Sequence, residues 1–401
     1  MKIRKLKIKN YKVFGDVEFD FTDKDGNTLD TVVLAGINGS GKTSVLEILK
    51  KIFDDTNSAQ KNTLFENLKD ASIEVEFQLK DENHVVKYSF NSITDYLNEK
   101  MYLNSIFTKF KSNTKQTLLY YLPVNLRQVA EDRFEESDSK NFKIIHLESH
   151  KSEMSILLYN DVNKEVYKNR NVTISESVQK SIDKVSILLK GIKVATKLVD
   201  LDAESLIFES ATGERVKFDE LSNGEQNLYF KALYLRHLNI NNSLILIDEP
   251  EDALHPTWQK EVAKLYQNVG ENNQVIMATH SPHVMASVEP KSLFVLHIND
   301  ETRKVEVINM EKVGKHTKGL EPNRILREVM ELDMLRDYEI QSKIDKLSKL
   351  LIINEFEKPN TQELIEELTD TLGKEDPFII RMEHQLLMLN RQKLKTSDAL
   401  R

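Results

Sequence analysis

Thr31-Val32-Val33-Leu34-Ala35-Gly36-Ile37-Asn38-Gly39-Ser40-Gly41-Lys42-Thr43-Ser44 decides the fold. Its first five residues form an apolar run of the kind that lies inside a parallel sheet. Gly36 to Thr43 fits G-x-x-x-x-G-K-[ST] in full. Val45, Leu46, Ile48, Leu49, Ile52 and Phe53 then mark one face of a helix reaching about Phe53. Strand, glycine-rich loop and helix in that order are the setting this motif requires. Gly36, Gly39 and Gly41 let backbone N–H groups point inward as an anion nest, shared with Asn38, Ser40 and Ser44, and the helix N-terminus adds positive charge beneath it. Lys42 is placed for β- and γ-phosphates, and the Thr43 hydroxyl for Mg²⁺. The cofactors expected are ATP and Mg²⁺.

A second apolar strand, Leu244-Ile245-Leu246-Ile247, ends in Asp248-Glu249-Pro250. Two adjacent carboxylates at the end of a buried strand are costly unless a cation compensates them. Asp248 is expected to hold the metal through water, and Glu249 to orient and activate an attacking water. Leu221-Ser222-Asn223-Gly224-Glu225-Gln226 opens a helix. Ser222 and Glu225 have the spacing of a capping box, and the same capped N-terminus is a second anion site. Thr279-His280-Ser281-Pro282 follows the strand Val275–Ala278. Alone, a histidine at a strand end is more often structural than catalytic.

Taken together these motifs resemble ABC-type ATPases, with LSNGEQ similar to that family's signature. The resemblance implies that two protomers sandwich ATP, the phosphate loop of one facing Ser222, Asn223, Gly224 and Glu225 of the other. It also makes Glu249 the catalytic base and His280 the switch histidine on the γ-phosphate, and places Glu251 to Pro256 in the interface loop between protomers. The fold implied is α/β: an ABC-type head, with a mixed-sheet lobe and a helical lobe, over about 1–315. The opening strand with Asn10-Tyr11-Lys12, and Glu249-Pro250-Glu251 with Leu254-His255-Pro256, resemble the RecF, SMC and OLD branch rather than transporter subunits. That branch implies a nucleotide contact for Lys12. Gln128 is the candidate for the family's glutamine loop. The preceding Pro123-Val124-Asn125 departs from the usual strand-then-Gln pattern, so Gln128 is not counted among the site residues.

The remaining sequence narrows the branch. There are no sustained heptads, which excludes the long coiled coil of SMC proteins, and no internal repeat. Only 401 − 280 = 121 residues follow His280, the later ones helical, so the nuclease domain of OLD proteins has no place. A lobe insertion covers about 124–190, its charged stretch Glu131 to Lys140 reading as exposed. From 320 to 401 the pattern is helical, with stripes at Ile340–Leu351, Leu364–Leu372 and Ile379–Leu389. Asn323-Arg324-Ile325-Leu326-Arg327-Glu328-Val329 and Leu372-Gly373-Lys374-Glu375-Asp376-Pro377 in this tail resemble the ATPase subunit of Septu-type anti-phage systems, which also accompanies some retrons. That resemblance implies a helical assembly subdomain and a partner nuclease of the HNH type.

Composition bounds the rest. The chain has 401 residues, no cysteine, and a net charge of 56 − 64 = −8. Disulfides, thiolate zinc sites and cysteine nucleophiles are excluded, and a reducing cytoplasm is the expected location. No apolar run approaches the ~20 residues that span a bilayer, so no membrane partner is expected. The basic start MKIRKLKIKNYK lacks the apolar core of a secretory signal. The acid-rich stretch 355–376, with 8 acidic and 2 basic residues, points to protein rather than DNA as the tail's partner. Two functions follow: an ATPase that dimerises around ATP and gates an effector in phage defence, or a RecF-like DNA-repair or DNA-end-sensing ATPase, for which DNA is the partner.

Overall fold

An inner strand must be apolar on both faces, because neither face meets water. Thr31–Ala35, Leu244–Asp248 and Gln274–Thr279 are buried at every residue. They are neighbours in one large sheet. The computed structural model describes residues 1–53, 70–80, 82–89, 93–111, 118–122, 142–144, 162–163, 173–201, 205–331, 336–353 and 355–398. These fall into two compact units, Met1–Met330 and Glu331–Arg401. Gln128, the stretch 131–140 and most of the insertion expected over 124–190 lie outside the described residues.

In chain order the strands begin with β1 (Lys2–Tyr11), β2 (Phe14–Asp20), β3 (Thr31–Ala35), β4 (Ser72–Leu79), β5 (Glu82–Ser89), β6 (Leu119–Leu122) and β7 (Phe142–Ile144). A separate antiparallel sheet follows, made of β8 (Lys197–Leu201), β9 (Leu206–Glu209) and β10 (Arg215–Lys217). The chain then returns to the main sheet with β11 (Leu244–Asp248), β12 (Gln274–Thr279), β13 (Leu293–Ile298) and β14 (Val305–Asn309). The main sheet has 11 strands in the order β5-β4-β1-β2-β14-β13-β3-β12-β11-β6-β7. From β13 to β7 all pairings are parallel. β5, β4, β1 and β2 form an antiparallel meander joined to the rest through β14. The mixed sheet is the kind expected from the sequence.

Alternation along the inner strands divides the core in two. Val33, Ala35, Ile245, Ile247, Val275 and Met277 pack into one cluster, which also takes Leu228, Leu233 and Leu235 of the helix Asn223–Leu238. Val32, Leu34, Leu244, Leu246, Ile276 and Ala278 pack into the other, with Val45, Leu46 and Leu49 of the helix Lys42–Phe53. Neighbouring residues on a strand point to opposite faces. The helix after the glycine-rich loop and the helix opened by Ser222 therefore lie on opposite faces of the sheet. Each fully buried Leu, Ile or Val contributes roughly 1.5–3 kcal/mol, so both placements are strongly fixed.

Gln274 stitches the meander to the parallel strands. It is fully buried, and its amide donates to the carbonyls of Ile3 and Leu29, both at 2.9 Å. The lysines of β1 face acids across the strands: Lys5 with Asp20, Lys7 with Glu18 and Glu74, and Lys9 with Asp16. The basic N-terminal stripe is thus neutralised within the sheet.

Among its described residues the second unit holds three helices, Tyr338–Ile352, Pro359–Leu372 and Pro377–Asp398. Ile344, Leu347, Leu351, Leu364, Leu368, Ile379 and Met382 form its core. Pro359 and Pro377 open their helices at the first turn, where a missing N–H costs nothing. Arg336 donates to both oxygens of Asp376 at 2.8 and 3.0 Å, tying the unit's entry to the start of its last helix. The earlier helix Pro322–Glu328 belongs to the first unit, where Ile325 is fully buried in the core. Among the described residues, no helix is long and apolar enough to cross a membrane.

Candidate functional site

β3, β12 and β11 are adjacent and parallel, so their carboxyl ends share one edge of the sheet. Ala35 is level with Thr279, and Asp248 with Ala278. The segments leaving these ends are Gly36 to Gly41, Glu249-Pro250-Glu251, and His280-Ser281. Crevices at the carboxyl ends of parallel strands are where open α/β sheets bind ligands.

Close contacts dictate two of the loop glycines. A Cβ on Gly36 would lie 2.6 Å from the carbonyl oxygen of Leu296 and from Ser40 Oγ. On Gly41 it would lie 2.6 Å from the Phe14 ring. Both residues have positive φ, +152° and +94°, so a side chain is barred by space and by backbone. Asn38 and Gly39 are exposed, and Ser40 is fully buried with its hydroxyl unpartnered. The Lys42 ammonium donates to the carbonyls of Gly36 at 2.9 Å and Ile37 at 3.1 Å. Burial lowers its pKa, while Glu249, Asp248 and Glu251 oppose the shift.

Thr43 Oγ1 donates to Asp248, at 3.0 Å from Oδ2 and 3.2 Å from Oδ1. Burial pushes the Asp248 carboxyl up to about 6, against the help of that hydrogen bond. Glu249 takes a left-handed φ of 48°, and its N–H donates to Ala278 O at 2.8 Å. Its Oε2 lies 2.7 Å from His280 Nδ1. Lys12, also left-handed at 49°, reaches the first turn of the same helix and contacts Glu47 at 3.0 Å and Ser44 at 3.4 Å.

Ser222 to Glu225 lie on the other face of the sheet, by the helix placement above. Ser222 Oγ caps the helix by accepting from Glu225 N, and the Glu225 carboxylate accepts from Ser222 N and Oγ. Thr196 donates to the second Glu225 oxygen at 2.9 Å. The capping box expected from the sequence is complete. Ser222 and Asn223 are exposed at its tip. Gly224 has a steric reason: its Cβ would lie 2.9 Å from the Trp258 ring.

The residues at the strand ends suit a nucleotide with Mg²⁺. The glycine cradle, the lysine resting on loop carbonyls and the orphaned Ser40 hydroxyl are the features of an anion nest. Thr43 and Asp248 present hard oxygen donors side by side, the ligand type Mg²⁺ takes.

Glu251 was not singled out as a site residue in the sequence, yet it is buried beside Glu249 and pushed up to about 7 by burial. Atoms of Glu249, Glu251 and His280 lie within 4.8 Å of one another. The pair of glutamates flanking Pro250, followed by a histidine after the neighbouring strand, is the signal that would have found it.

A family model described as "AAA domain, putative AbiEii toxin, Type IV TA system" matches residues 32–286, more than half the chain. The chain is 24% identical over 403 residues to "Septu protein PtuA" of Bacillus thuringiensis, covering 93% of each protein. It is 23% identical over 293 residues to "Retron Vc95 probable ATPase" of Vibrio cholerae serotype O1 biovar El Tor, covering 71% of this chain and 54% of that one. Among solved structures, the SMC head domain from Thermotoga maritima aligns over 77% of this chain and 99% of its own, at 17% identity and a TM-score of 0.45.

Proposed function

Because this chain belongs to the family described as "AAA domain, putative AbiEii toxin, Type IV TA system", we propose that it hydrolyses ATP and, dimerising around it, gates a partner nuclease in phage defence. The observation that carries the ATPase reading is the strand-end juxtaposition of Gly36–Ser44, Asp248, Glu249 and His280. Lys42, Ser44 and the loop amides bind the β- and γ-phosphates, and Lys12 adds a cation at the first helical turn. Thr43 and Asp248 hold Mg²⁺, which neutralises phosphate charge when bound. Glu249 accepts a proton from water as its oxygen attacks the γ-phosphorus. The bond from that phosphorus to the bridging oxygen breaks, leaving ADP and phosphate. His280 contacts the γ-phosphate and sits 2.7 Å from Glu249 Oε2, close enough to keep that carboxylate in place.

Dimerisation rests on the two-faced core. Ser222, Asn223 and Gly224 belong to the helix on the face opposite the helix Lys42–Phe53, and their tip is exposed. A second protomer, placed head to tail, supplies them to the γ-phosphate. Similarity to a Septu protein over most of the chain, and to a retron ATPase, supports a role in phage defence; an effector nuclease of the HNH type is the partner proposed. The helical unit Glu331–Arg401, whose segment 355–376 is strongly acidic, is the proposed assembly surface.

Glu249→Gln tests the reading. Hydrolysis should slow at least ~100-fold, the loss expected for a positioned base. ATP should remain bound, and the variant should accumulate as a dimer in light scattering. A wild-type rate would exclude Glu249 as the base.

A further inference from the structure

We propose that Glu251 is a positioning residue that fastens the end of β11 to the end of β12 and thereby sets His280 against Glu249. This deepens the ATPase reading and rests on it.

Glu251 Oε1 accepts from Thr279 Oγ1 and from Ser281 N, the latter at 3.1 Å. Those donors flank His280 on both sides in the chain. The same oxygen lies 4.0 Å from His280 Nδ1, which in turn lies 2.7 Å from Glu249 Oε2. One carboxyl group thus reaches both neighbours of the switch histidine and the histidine ring itself. Thr279 Oγ1 also accepts from Ser281 N at 2.9 Å, so the three groups form a closed triangle.

The backbone carrying Glu251 is equally constrained. Glu249 and Ala253 turn through left-handed φ of 48° and 58°. Such turns persist where surroundings over-determine them, and they cluster at functional sites. Lys231, on the helix opened by Ser222, donates to Pro250 O at 3.3 Å and Asp252 O at 3.0 Å, gripping the chain on either side of Glu251. Glu251 is 5% exposed. A carboxyl this buried is costly unless its hydrogen bonds are used. Here Oε1 is bonded to the two residues that flank the histidine, while Oε2 has no hydrogen-bond partner.

The test compares Glu251→Ala, Glu251→Gln and Thr279→Val in steady-state ATP hydrolysis, with ATP affinity and thermal melting measured on each. Small displacements of reacting groups cost up to ~100-fold in rate. Glu251→Ala should lower kcat by about 30- to 100-fold while KM for ATP changes less than about 3-fold. Glu251→Gln keeps a carbonyl oxygen for Thr279 and Ser281 and should retain kcat within about 5-fold. Thr279→Val, which loses one donor, should fall between them. A purely structural role would lower melting temperature and affinity together without this split.

The proposal is overturned if Glu251→Ala keeps kcat within about 3-fold, or if Glu251→Gln is as impaired as Glu251→Ala, since charge rather than position would then matter. Should Glu251→Ala not fold, an unaffected Thr279→Val overturns it equally. Failure of the ATPase reading looks different: the wild-type chain would not hydrolyse ATP, or Glu249→Gln would leave hydrolysis unchanged.

Discussion

The strand-end cluster and the turn at Ser222 handle their polar groups in opposite ways. At the turn, Ser222 and Glu225 satisfy each other, and Thr196 takes up the remaining carboxylate oxygen. At the strand ends, burial holds Asp248 near 6 and Glu251 near 7, Lys42 rests on backbone carbonyls, and Ser40 Oγ and Glu251 Oε2 have no partner. A self-sufficient turn needs no ligand to keep its shape and can present a finished surface to a second chain. A cluster of buried, imperfectly matched charges gains most from a ligand that matches them, and its strain is of the kind active sites carry. The two regions should therefore respond to different perturbations.

The largest separation is expected from Lys42→Ala. It removes the side-chain cation set in the glycine loop, worth about 1.5–3 kcal/mol per charged hydrogen bond. ATP affinity should fall at least ~100-fold, read by titration with a fluorescent ATP analogue. The capped turn, whose hydrogen bonds do not involve Lys42, should be untouched. Undiminished affinity would break the assignment of the strand ends as the phosphate site.

The two regions also differed in how much of them the sequence disclosed. The loop Gly36–Ser44 was legible because its motif is contiguous in the chain, although the contacts that leave no room for a Cβ at Gly36 and Gly41 come from distant Leu296 and Phe14. The capping box was legible because it spans four residues. Which face of the sheet each helix covers was not legible. It depends on strand order, and β13 and β14 enter beside β3 and β2 from nearly 300 residues along the chain. The short strand β14 gave no signal of its own. The helix Ile93–Lys111 was missed for a related reason: among its described side chains the buried Leu103 and Phe107 stand alone and mark no long stripe. Phe107 packs against the rings of Phe53 and Phe77, which come from distant elements. Glu251 escaped because its partners, Thr279 and Ser281, lie on the adjacent strand end.

Complementation comes next in size. A Lys42→Ala chain and a Ser222→Arg chain should each be inactive. In their heterodimer one site carries both lesions and the other none. Equal mixing yields half heterodimers with one intact site each, so about a quarter of wild-type ATPase activity should return. No recovery, with heterodimers shown by tagged pull-down, would mean that each turn serves its own chain and that the opposite-face placement has no functional meaning.

A smaller effect is expected from Gly224→Ala. The new methyl group meets the Trp258 ring at 2.9 Å, and Trp258 is itself held by a 2.8 Å hydrogen bond to Lys193 O. Overpacking of this kind costs about 1–3 kcal/mol. Chemical denaturation should show that loss, while ATP affinity of the single chain stays at the wild-type value. A fall in affinity instead would show that the turn and the strand ends are not separable.

The smallest expected effect lies in the pH dependence of stability. Burial raises Glu251 from its ordinary 4.5 to about 7, so the folded chain keeps a proton that the unfolded chain has released. Stability is therefore lost as pH rises through that window, and the loss is complete above it. Asp248, raised from 3.8 to about 6, acts in the same direction. The buried Met1 amine, lowered from 8.0 to about 5, opposes them, because it costs the folded state stability as pH falls through its window. The raw slope mixes these groups, and a comparison of two chains isolates one. Glu251→Gln has no carboxyl to titrate there, whereas Asp248 and Met1 are common to both proteins. The variant should melt above the wild type at pH 8, with the advantage shrinking steadily toward pH 5. Thermal unfolding without nucleotide or Mg²⁺ at several pH values reads the difference directly. A constant difference would mean that Glu251 does not change its ionisation across the range, and that burial of charge is not what sets the strand ends apart from the turn.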